Sequence, residues 1–295
     1  MRKINGIAGA NLKLSPRIQN RKEVTRFMSL EKLTNHYYID PTSNNANYIR
    51  ILTLVNELRI ITKKQIKEFV AFENGLTKRT YDKILLYLEE RYYIQRITDY
   101  RYQKSIIYYI TKEGVQFLGS SYAVPNNPYY NLDHHLKIND MLIEAFQVVG
   151  RHPYLNAVSS ERRLVFEAKD AKEAKGRIYK VPDFDFEFLS PDDGIDIIWH
   201  FEIELTLKSF TRYSKRIIPH YLNMLDNEYT AQDKIIYVVP TRSIQNKLQT
   251  ILRSFEESRN KTYTNFIIVH FDSMAQTLIE LSQDLKTKIG NEELS

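Results

Sequence analysis

The segment Pro182-Asp183-Phe184-Asp185-Phe186 and the later segment His200-Phe201-Glu202-Ile203-Glu204-Leu205-Thr206-Leu207-Lys208 decide the fold predicted for the second half of this protein. Apolar and polar residues alternate in both, as they do in strands that present one face to a core. If 201–208 is a strand, Glu202, Glu204, Thr206 and Lys208 share one face. A neighbouring strand at Pro182-Asp183 would bring a further carboxylate beside them.

These carboxylates predict a metal site. Clustered oxygen ligands suit a hard divalent cation, so we predict Asp183, Glu202 and Glu204 as ligands of Mg²⁺ or Mn²⁺. The same three residues, together with Lys208, are the predicted catalytic group for phosphodiester chemistry. Two plainer interpretations stay open: a solvated strand face that tolerates like charges, and a surface ion pair made by Lys208.

Composition narrows the class of protein. The chain has 295 residues, of which 43% are hydrophobic and 26% charged, which is typical of a globular protein of two domains. No apolar run approaches the ~20 residues needed to span a bilayer. The absence of cysteine excludes disulfides, thiolate zinc sites and a cysteine nucleophile, and fits a reducing cytoplasm.

Charge is distributed unevenly along the chain. Residues 1–125 contain 21 Lys and Arg against 11 Asp and Glu, a net charge of +10, whereas residues 126–295 contain 21 against 25, a net charge of −4. A basic first half suits a polyanion such as double-stranded DNA, because neutralising phosphates releases condensed counterions. The acidic second half is better suited to metal binding.

The first half has the sequence pattern of a DNA-binding domain. Residues 1–44 predict a basic, partly disordered arm, and residues 47–61 have the apolar spacing of a helix. Thr62 with Gln65 predicts the cap of a second helix, and Thr77 begins a third.

Two apolar and aromatic runs, at 92–97 and 105–110, then predict a β-hairpin, and Thr111 begins a closing helix. This order resembles a winged helix-turn-helix domain, which we place at 45–124. Its third helix would enter the major groove. The residues predicted to contact DNA are Lys78, Arg79, Thr80, Tyr81, Lys83, Arg96, Arg101 and Lys104. A helical domain with a merely solvated basic face, or one that binds protein, is the alternative.

The second half predicts an α/β (α+β) domain at 132–295, after a linker at 125–131. A helix from Leu132 to Val149 precedes candidate strands at 158–166, 179–189 and 195–208. A helix at 210–225, a strand at 234–239, a helix at 243–257, a strand at 265–271 and a final helix at 273–285 follow.

This order, with Pro-Asp on one strand and Glu-x-Glu on the next, resembles the PD-(D/E)XK nuclease superfamily. The resemblance implies that Asp183 and Glu202 hold a metal while a lysine two residues after Glu202 acts on water. Here Glu204 occupies that lysine position, and Lys208 follows four residues later. Some restriction enzymes of this fold also carry glutamate there.

A closer resemblance, over residues 45–240, is to the replication-relaxation proteins of plasmids and integrative elements. It depends on the winged helix, a His-His-Leu-Lys-x-Asn-Asp helix start at 134–140, the Pro-Asp strand, the Phe-Glu-x-Glu-Leu-Thr segment at 201–206 and the stretch from Lys215 to Tyr221. It implies a DNA-binding protein of a bacterial mobile element that acts in replication, relaxation or mobilisation. Other replication or mobilisation proteins and a second copy of the chain are further candidate partners.

Several residues keep two interpretations. His134 and His135 are either metal ligands or bases, or polar residues at a helix start. Tyr213 and Tyr221 are candidate nucleophiles among 21 tyrosines. A separate set on the same helix either contacts phosphate or is solvated: Arg212, Lys215 and Arg216.

Three classes of function follow. The first is a DNA-processing enzyme with metal-dependent nicking. The second is a non-enzymatic DNA-binding protein, namely a replication initiator, relaxosome accessory factor or transcriptional regulator with an inactive nuclease-like domain. The third is a protein-binding adaptor.

Overall fold

The computed structural model describes residues 29–37, 39, 46–71, 76–98, 105–125, 127–170, 181–189 and 196–290. The predictions for residues 1–28 and for Arg101 and Lys104 on the hairpin lie outside the described residues.

Part of the predicted basic arm is folded. Ser29–Leu33 form helix α1, in which Leu30 and Leu33 are buried in the main hydrophobic core. The two leucines lie three residues apart and so share one face of the helix. Tertiary packing stabilises this helix, which is too short to form alone.

We call residues 46–117 the winged-helix part, and they contain all the helices and strands predicted for the winged helix. These are α2 (Ala46–Leu58), β1 (Ile60–Thr62), α3 (Lys63–Ala71), α4 (Lys78–Glu90), β2 (Ile94–Thr98), β3 (Ile106–Ile110) and α5 (Lys112–Phe117). The three strands form an antiparallel sheet in the order β1-β3-β2. The winged helix-turn-helix prediction is thereby confirmed as a fold.

The predicted helix caps are present. Thr62 and Gln65 exchange two hydrogen bonds of 3.0 Å, each backbone N–H donating to the other side chain. Thr77 Oγ1 accepts from the Thr80 N–H at the start of α4, and Thr111 Oγ1 accepts from the Gly114 N–H in α5. These bonds satisfy N–H groups that a helix start leaves without partners.

The second half is a five-stranded mixed sheet with helices on both faces. Its elements are α6 (Leu132–Val149), β4 (Leu155–Ser160), α7 (Glu161–Asp170), β5 (Phe184–Leu189), β6 (Asp196–Ile203), α8 (Phe210–Arg212), a π-helical turn (Tyr213–Ile217), α9 (Ile218–Leu225), β7 (Lys234–Val239), α10 (Arg242–Arg259), β8 (Phe266–His270) and α11 (Met274–Gly290). The strand order is β4-β5-β6-β7-β8. Strands β4 to β6 are antiparallel, and β6 to β8 are parallel. The predicted α/β (α+β) fold class is confirmed.

Three predicted strands were too long. The first ends at Ser160, because Ser160 Oγ accepts the Arg163 N–H and begins helix α7. The second begins only at Phe184, so Asp183 precedes it. The third ends at Ile203, so Glu204, Thr206 and Lys208 do not lie on a strand. The alternation argument therefore fails beyond Ile203.

The two faces of the sheet have different roles. Phe184, Phe186, Trp199 and Phe201 pack in the larger core together with α6 and α11. The opposite face packs against α9 and α10 in a second core. Since side chains alternate along a strand, Asp183, Asp185, His200 and Glu202 belong to this opposite face.

Helix α6 connects the winged helix to the sheet. Asn139 Nδ2 donates to the Ile60 carbonyl at 2.8 Å, and Gln65 Nε2 donates to the Leu136 carbonyl at 2.8 Å and to Asp140 Oδ1 at 2.7 Å. The larger hydrophobic core includes residues from both parts. The winged helix is therefore held against the sheet by buried contacts.

Candidate functional site

Asp183 and Glu202 lie side by side where two strands meet. The β5–β6 ladder ends at the pair Phe184–Phe201, and Asp183 and Glu202 are the next residues beyond that pair. The Asp183 N–H donates to the Phe201 carbonyl at 2.9 Å, and Asp183 Oδ2 accepts the Ile203 N–H at 2.6 Å. The Ile203 N–H thus fixes the Asp183 carboxylate.

The environment of Glu202 disfavours its charge. Burial and then the negative charge of Asp183 raise the pKa of Glu202 to about 8. The hydroxyl of Tyr221, which donates to Glu202 Oε1, and the charge of Lys208 oppose this rise. A cation beside the pair would remove the repulsion and restore the ionised carboxylate.

Glu204 is buried and bound to Tyr213 and Lys208. It is 4% exposed, accepts a hydrogen bond of 2.6 Å from the Tyr213 hydroxyl, and lies 2.9 Å from Lys208 Nζ. Lys208 reaches Glu204 because the chain turns after β6. The predicted contact between lysine and carboxylate exists, although the strand that was to produce it does not.

The two candidate tyrosine nucleophiles are buried. Tyr213 and Tyr221 are 0% and 2% exposed, and each hydroxyl donates to a carboxylate, Glu204 and Glu202 respectively. Burial, together with these carboxylates, raises the pKa of both tyrosines above its ordinary value. This geometry suits support of the carboxylates rather than attack on phosphorus.

Three further side chains surround Asp183. His134 Nε2 lies 3.6 Å from Asp183 Oδ1, and the hydrogen bond to Asp183 raises the pKa of His134. Burial lowers the pKa of His135 to about 4, and its Nδ1 lies 3.9 Å from Glu161 Oε2. Burial and the charge of Asp183 raise the pKa of Glu161.

Sequence reasoning missed Glu161, which it placed inside a strand. The Ser160 cap followed by an acidic first turn is the sequence signal of a helix start that could have placed it.

The metal prediction receives limited geometric support. Within the described ranges, no group of three or more His, Cys, Asp or Glu side chains is arranged to hold a metal ion. Asp183 and Glu202 nevertheless fit a Mg²⁺ or Mn²⁺ ion, because Mg²⁺ commonly uses one or two carboxylates and keeps several waters. Glu204, which is bound to Tyr213 and Lys208, is not placed as a third ligand.

A buried ion cluster lies next to this pair on the same sheet face. His200 Nδ1 is 2.9 Å from Asp185 Oδ1, and His200 Nε2 is 3.6 Å from Asp233 Oδ2. Burial alone would lower the pKa of His200, but the two carboxylates outweigh it and raise the pKa to about 9. The cluster therefore holds an imidazolium at neutral pH.

The third helix of the winged part presents most of its predicted DNA contacts to solvent. Lys78, Arg79, Thr80 and Lys83 of α4 are exposed. Tyr81 is 4% exposed and its hydroxyl donates to the Lys63 carbonyl at 2.5 Å, so it supports the helix and we remove it from the predicted contact set.

Other basic residues lie on separate surfaces. Arg96 on β2 is exposed and forms an ion pair of 3.2 Å with Glu89. Arg212, Lys215 and Arg216 are exposed on the helical stretch that follows the acidic strand.

Comparison with known proteins does not identify a family for this chain. No protein-family model matches the chain, and no curated protein matches it. Among solved structures, the chain is similar to the restriction endonuclease FokI bound to DNA, with 11% sequence identity over 85% of this chain and 47% of the FokI chain. The TM-score is 0.22, which is too low for the similarity to support any argument. Among the helices of the described residues, none combines the length and apolarity needed to cross a bilayer.

Proposed function

We propose that this protein binds double-stranded DNA through its winged helix and cleaves a DNA strand with the help of a divalent metal held by Asp183 and Glu202. The observation that carries the proposal is the cross-strand pair of carboxylates, in which the pKa of Glu202 is raised to about 8 by burial and by Asp183. Folded proteins rarely keep such a pair without a cation or a shared proton.

The roles of the other residues follow from their contacts. Asp183 and Glu202 would hold Mg²⁺ or Mn²⁺, which lowers the pKa of bound water and stabilises charge on phosphorus. Glu204 holds Lys208 through their 2.9 Å ion pair, and the Lys208 ammonium is available to orient a water molecule or a phosphate oxygen. The proposed DNA contacts are Lys78, Arg79, Thr80, Lys83 and Arg96, together with Arg101 and Lys104, which lie outside the described residues.

The resemblance of residues 45–240 to replication-relaxation proteins supports a role on a plasmid or other mobile element of a bacterium. In that setting the winged helix would select a site, and strand cleavage would relax the DNA before replication or mobilisation. The absence of cysteine fits a cytoplasmic location.

A nicking assay tests the catalytic part. Glu202→Gln keeps the size of the side chain and its acceptor for Tyr221 but removes the charge, so Mg²⁺-dependent nicking of a supercoiled plasmid should fall by at least about 100-fold. Glu187→Gln is the matched control, because it removes a carboxylate from the same strand pair away from Asp183. Unchanged nicking by Glu202→Gln would exclude the assigned site.

A binding assay tests the DNA surface. Lys83→Ala should weaken duplex binding and reduce the slope of log affinity against log salt by about 0.9, the value for one phosphate contact. Lys112→Ala removes one exposed charge from α5 and should leave the slope unchanged. Equal slopes in both variants would argue against the assignment of α4 and would favour an adaptor role.

A second candidate function is DNA binding without cleavage. It is favoured by the absence, within the described ranges, of a three-ligand metal group and by the engagement of Glu204 with Tyr213 and Lys208. Titration calorimetry with Mg²⁺ and Mn²⁺ separates the two candidates. Heat of binding that disappears in Glu202→Gln supports the enzyme, and no heat in the native protein supports an initiator, accessory factor or regulator.

A further inference from the structure

A cleft of about 590 Å³ lies between the winged helix and the sheet and reaches Asp183. The end of α2, the segment 121–125, α6 and the start of α7 supply its walls. Its volume is typical of a pocket for one small ligand, which spans about 300–1,000 Å³. A duplex would not fit inside, whereas a nucleotide of one strand would.

Arg59 stands out among the residues of this cleft. It lies between α2 and β1 with φ of 64°, in the left-handed region that favours glycine and asparagine. A larger side chain kept at such a strained position commonly has a functional reason.

The guanidinium of Arg59 is near the carboxylate site. Its charge helps to lower the pKa of His135 after burial, and it opposes the rise in the pKa of Glu161 that burial and Asp183 cause. His135 and Glu161 also line the cleft, as does Asp183. The winged-helix part therefore places a positive charge beside the catalytic carboxylates of the other part.

Of the other two basic residues that line the cleft, Arg162 is engaged by protein partners and Lys169 is exposed to solvent. Arg162 donates from both terminal nitrogens to the carbonyls of Asn56 and Ala123, and its guanidinium lies 4.9 Å from the Tyr122 ring. Lys169 is exposed near the end of α7. Arg59, in contrast, is half-buried and forms no hydrogen bond or ion pair with another residue of the described ranges. Its N–H groups can therefore donate hydrogen bonds to a ligand.

We propose that Arg59 binds a phosphate of the cleaved strand within this cleft, so that the winged-helix part completes the site beside Asp183. A guanidinium binds phosphate through two parallel hydrogen bonds, and the position next to Asp183 is where a phosphodiester must lie for attack. The inference rests on the proposed function and names its substrate as a single DNA strand that leaves the duplex at the cleft.

The substitution Arg59→Asn tests this inference without adding backbone strain, since asparagine tolerates the left-handed region. The melting temperature should stay equal or rise. Binding of a short, fluorescently labelled single-stranded oligonucleotide, measured by anisotropy in EDTA, should weaken about tenfold. The salt slope should fall by about 0.7, the value for one phosphate contact on a single strand. Arg59→Lys should keep the slope but recover only part of the affinity, because it lacks the planar fork.

Arg253→Gln is the control for loss of one exposed charge, because Arg253 is exposed on α10 and does not line the cleft. Its oligonucleotide affinity should match that of the native protein. Equal affinity of Arg59→Asn and the native protein, or equal loss in the Arg253→Gln control, would overturn the proposal. Competition by a mononucleotide as strong as that by the oligonucleotide would also overturn it, in favour of a nucleotide pocket.

The oligonucleotide-binding experiment and the nicking assay can give independent results. Oligonucleotide binding in EDTA does not depend on cleavage, so it reports on Arg59 even if Glu202→Gln leaves nicking unchanged. Conversely, loss of nicking in Glu202→Gln with unaltered binding by Arg59→Asn would support the enzyme and remove Arg59 from its site.

Discussion

The buried cluster of His200, Asp185 and Asp233 should make the stability of this protein depend on pH. His200 is 8% exposed and lies 2.9 Å from Asp185, and the two carboxylates raise its pKa from 6.5 to about 9. The folded protein therefore holds a proton that the unfolded chain releases between these two pH values. The resulting stabilisation is complete below pH 6.5 and is lost as the pH rises through about 9.

The size of this effect follows from the pKa shift. Each pKa unit corresponds to about 1.4 kcal/mol, so a shift from 6.5 to about 9 gives about 3 kcal/mol between pH 6.5 and pH values above 9. Since domains are stable by about 5–15 kcal/mol, this is a large share of the total.

Urea denaturation measures the effect directly. Trp199 is the single tryptophan of the chain, is fully buried, and precedes His200, so its fluorescence reports on unfolding of this sheet. The double variant Asp185→Asn/His200→Gln replaces the ion pair by two amides that can still share a hydrogen bond. Its free energy of unfolding should lack the fall of about 3 kcal/mol over the same pH window. The same fall in the native and variant proteins would refute the reasoning.

Two further predictions concern α1 and the carboxylate site. Leu33→Ala should lower the free energy of unfolding by about 2–5 kcal/mol, because Leu33 is fully buried. Glu31→Ala, on the exposed side of the same short helix, should change the free energy of unfolding little. Urea denaturation of both variants measures the difference, and equal stabilities would contradict the packing of α1. Tyr221→Phe removes a hydrogen bond that lowers the pKa of Glu202, so this pKa should rise above about 8 and the pH midpoint of metal-dependent nicking should shift upward. Tyr229→Phe, at an exposed tyrosine, should leave the midpoint unchanged. An unshifted midpoint in Tyr221→Phe would contradict the role of the hydroxyl.

Local signals predicted most of the elements of this fold. The Thr62–Gln65 capping box, the threonine caps of α4 and α5, and the two apolar runs of the hairpin were each readable over a few residues, and all are present. Such signals succeed because capping and alternation depend on neighbours in the chain.

The errors occurred where distant contacts compete with local pattern. The alternation of 201–208 suggested one long strand, but the ladder ends at Ile203, where the side chain of Asp183 takes the backbone N–H. Glu204 then turns toward Tyr213 and Lys208. No pattern within 201–208 contains this information, because the stopping point is set by another strand.

The sequence by itself determined the charge asymmetry, the winged-helix order and the apolar–polar alternation of the two acidic segments, since these depend on composition and on short-range periodicity. Only the tertiary structure decided that Asp183 faces Glu202, that Glu161 and His134 approach the pair, and that Arg59 reaches the same cleft from the winged helix. The physical reason is that residues distant in the chain become neighbours through strand register and buried packing, which no single segment encodes.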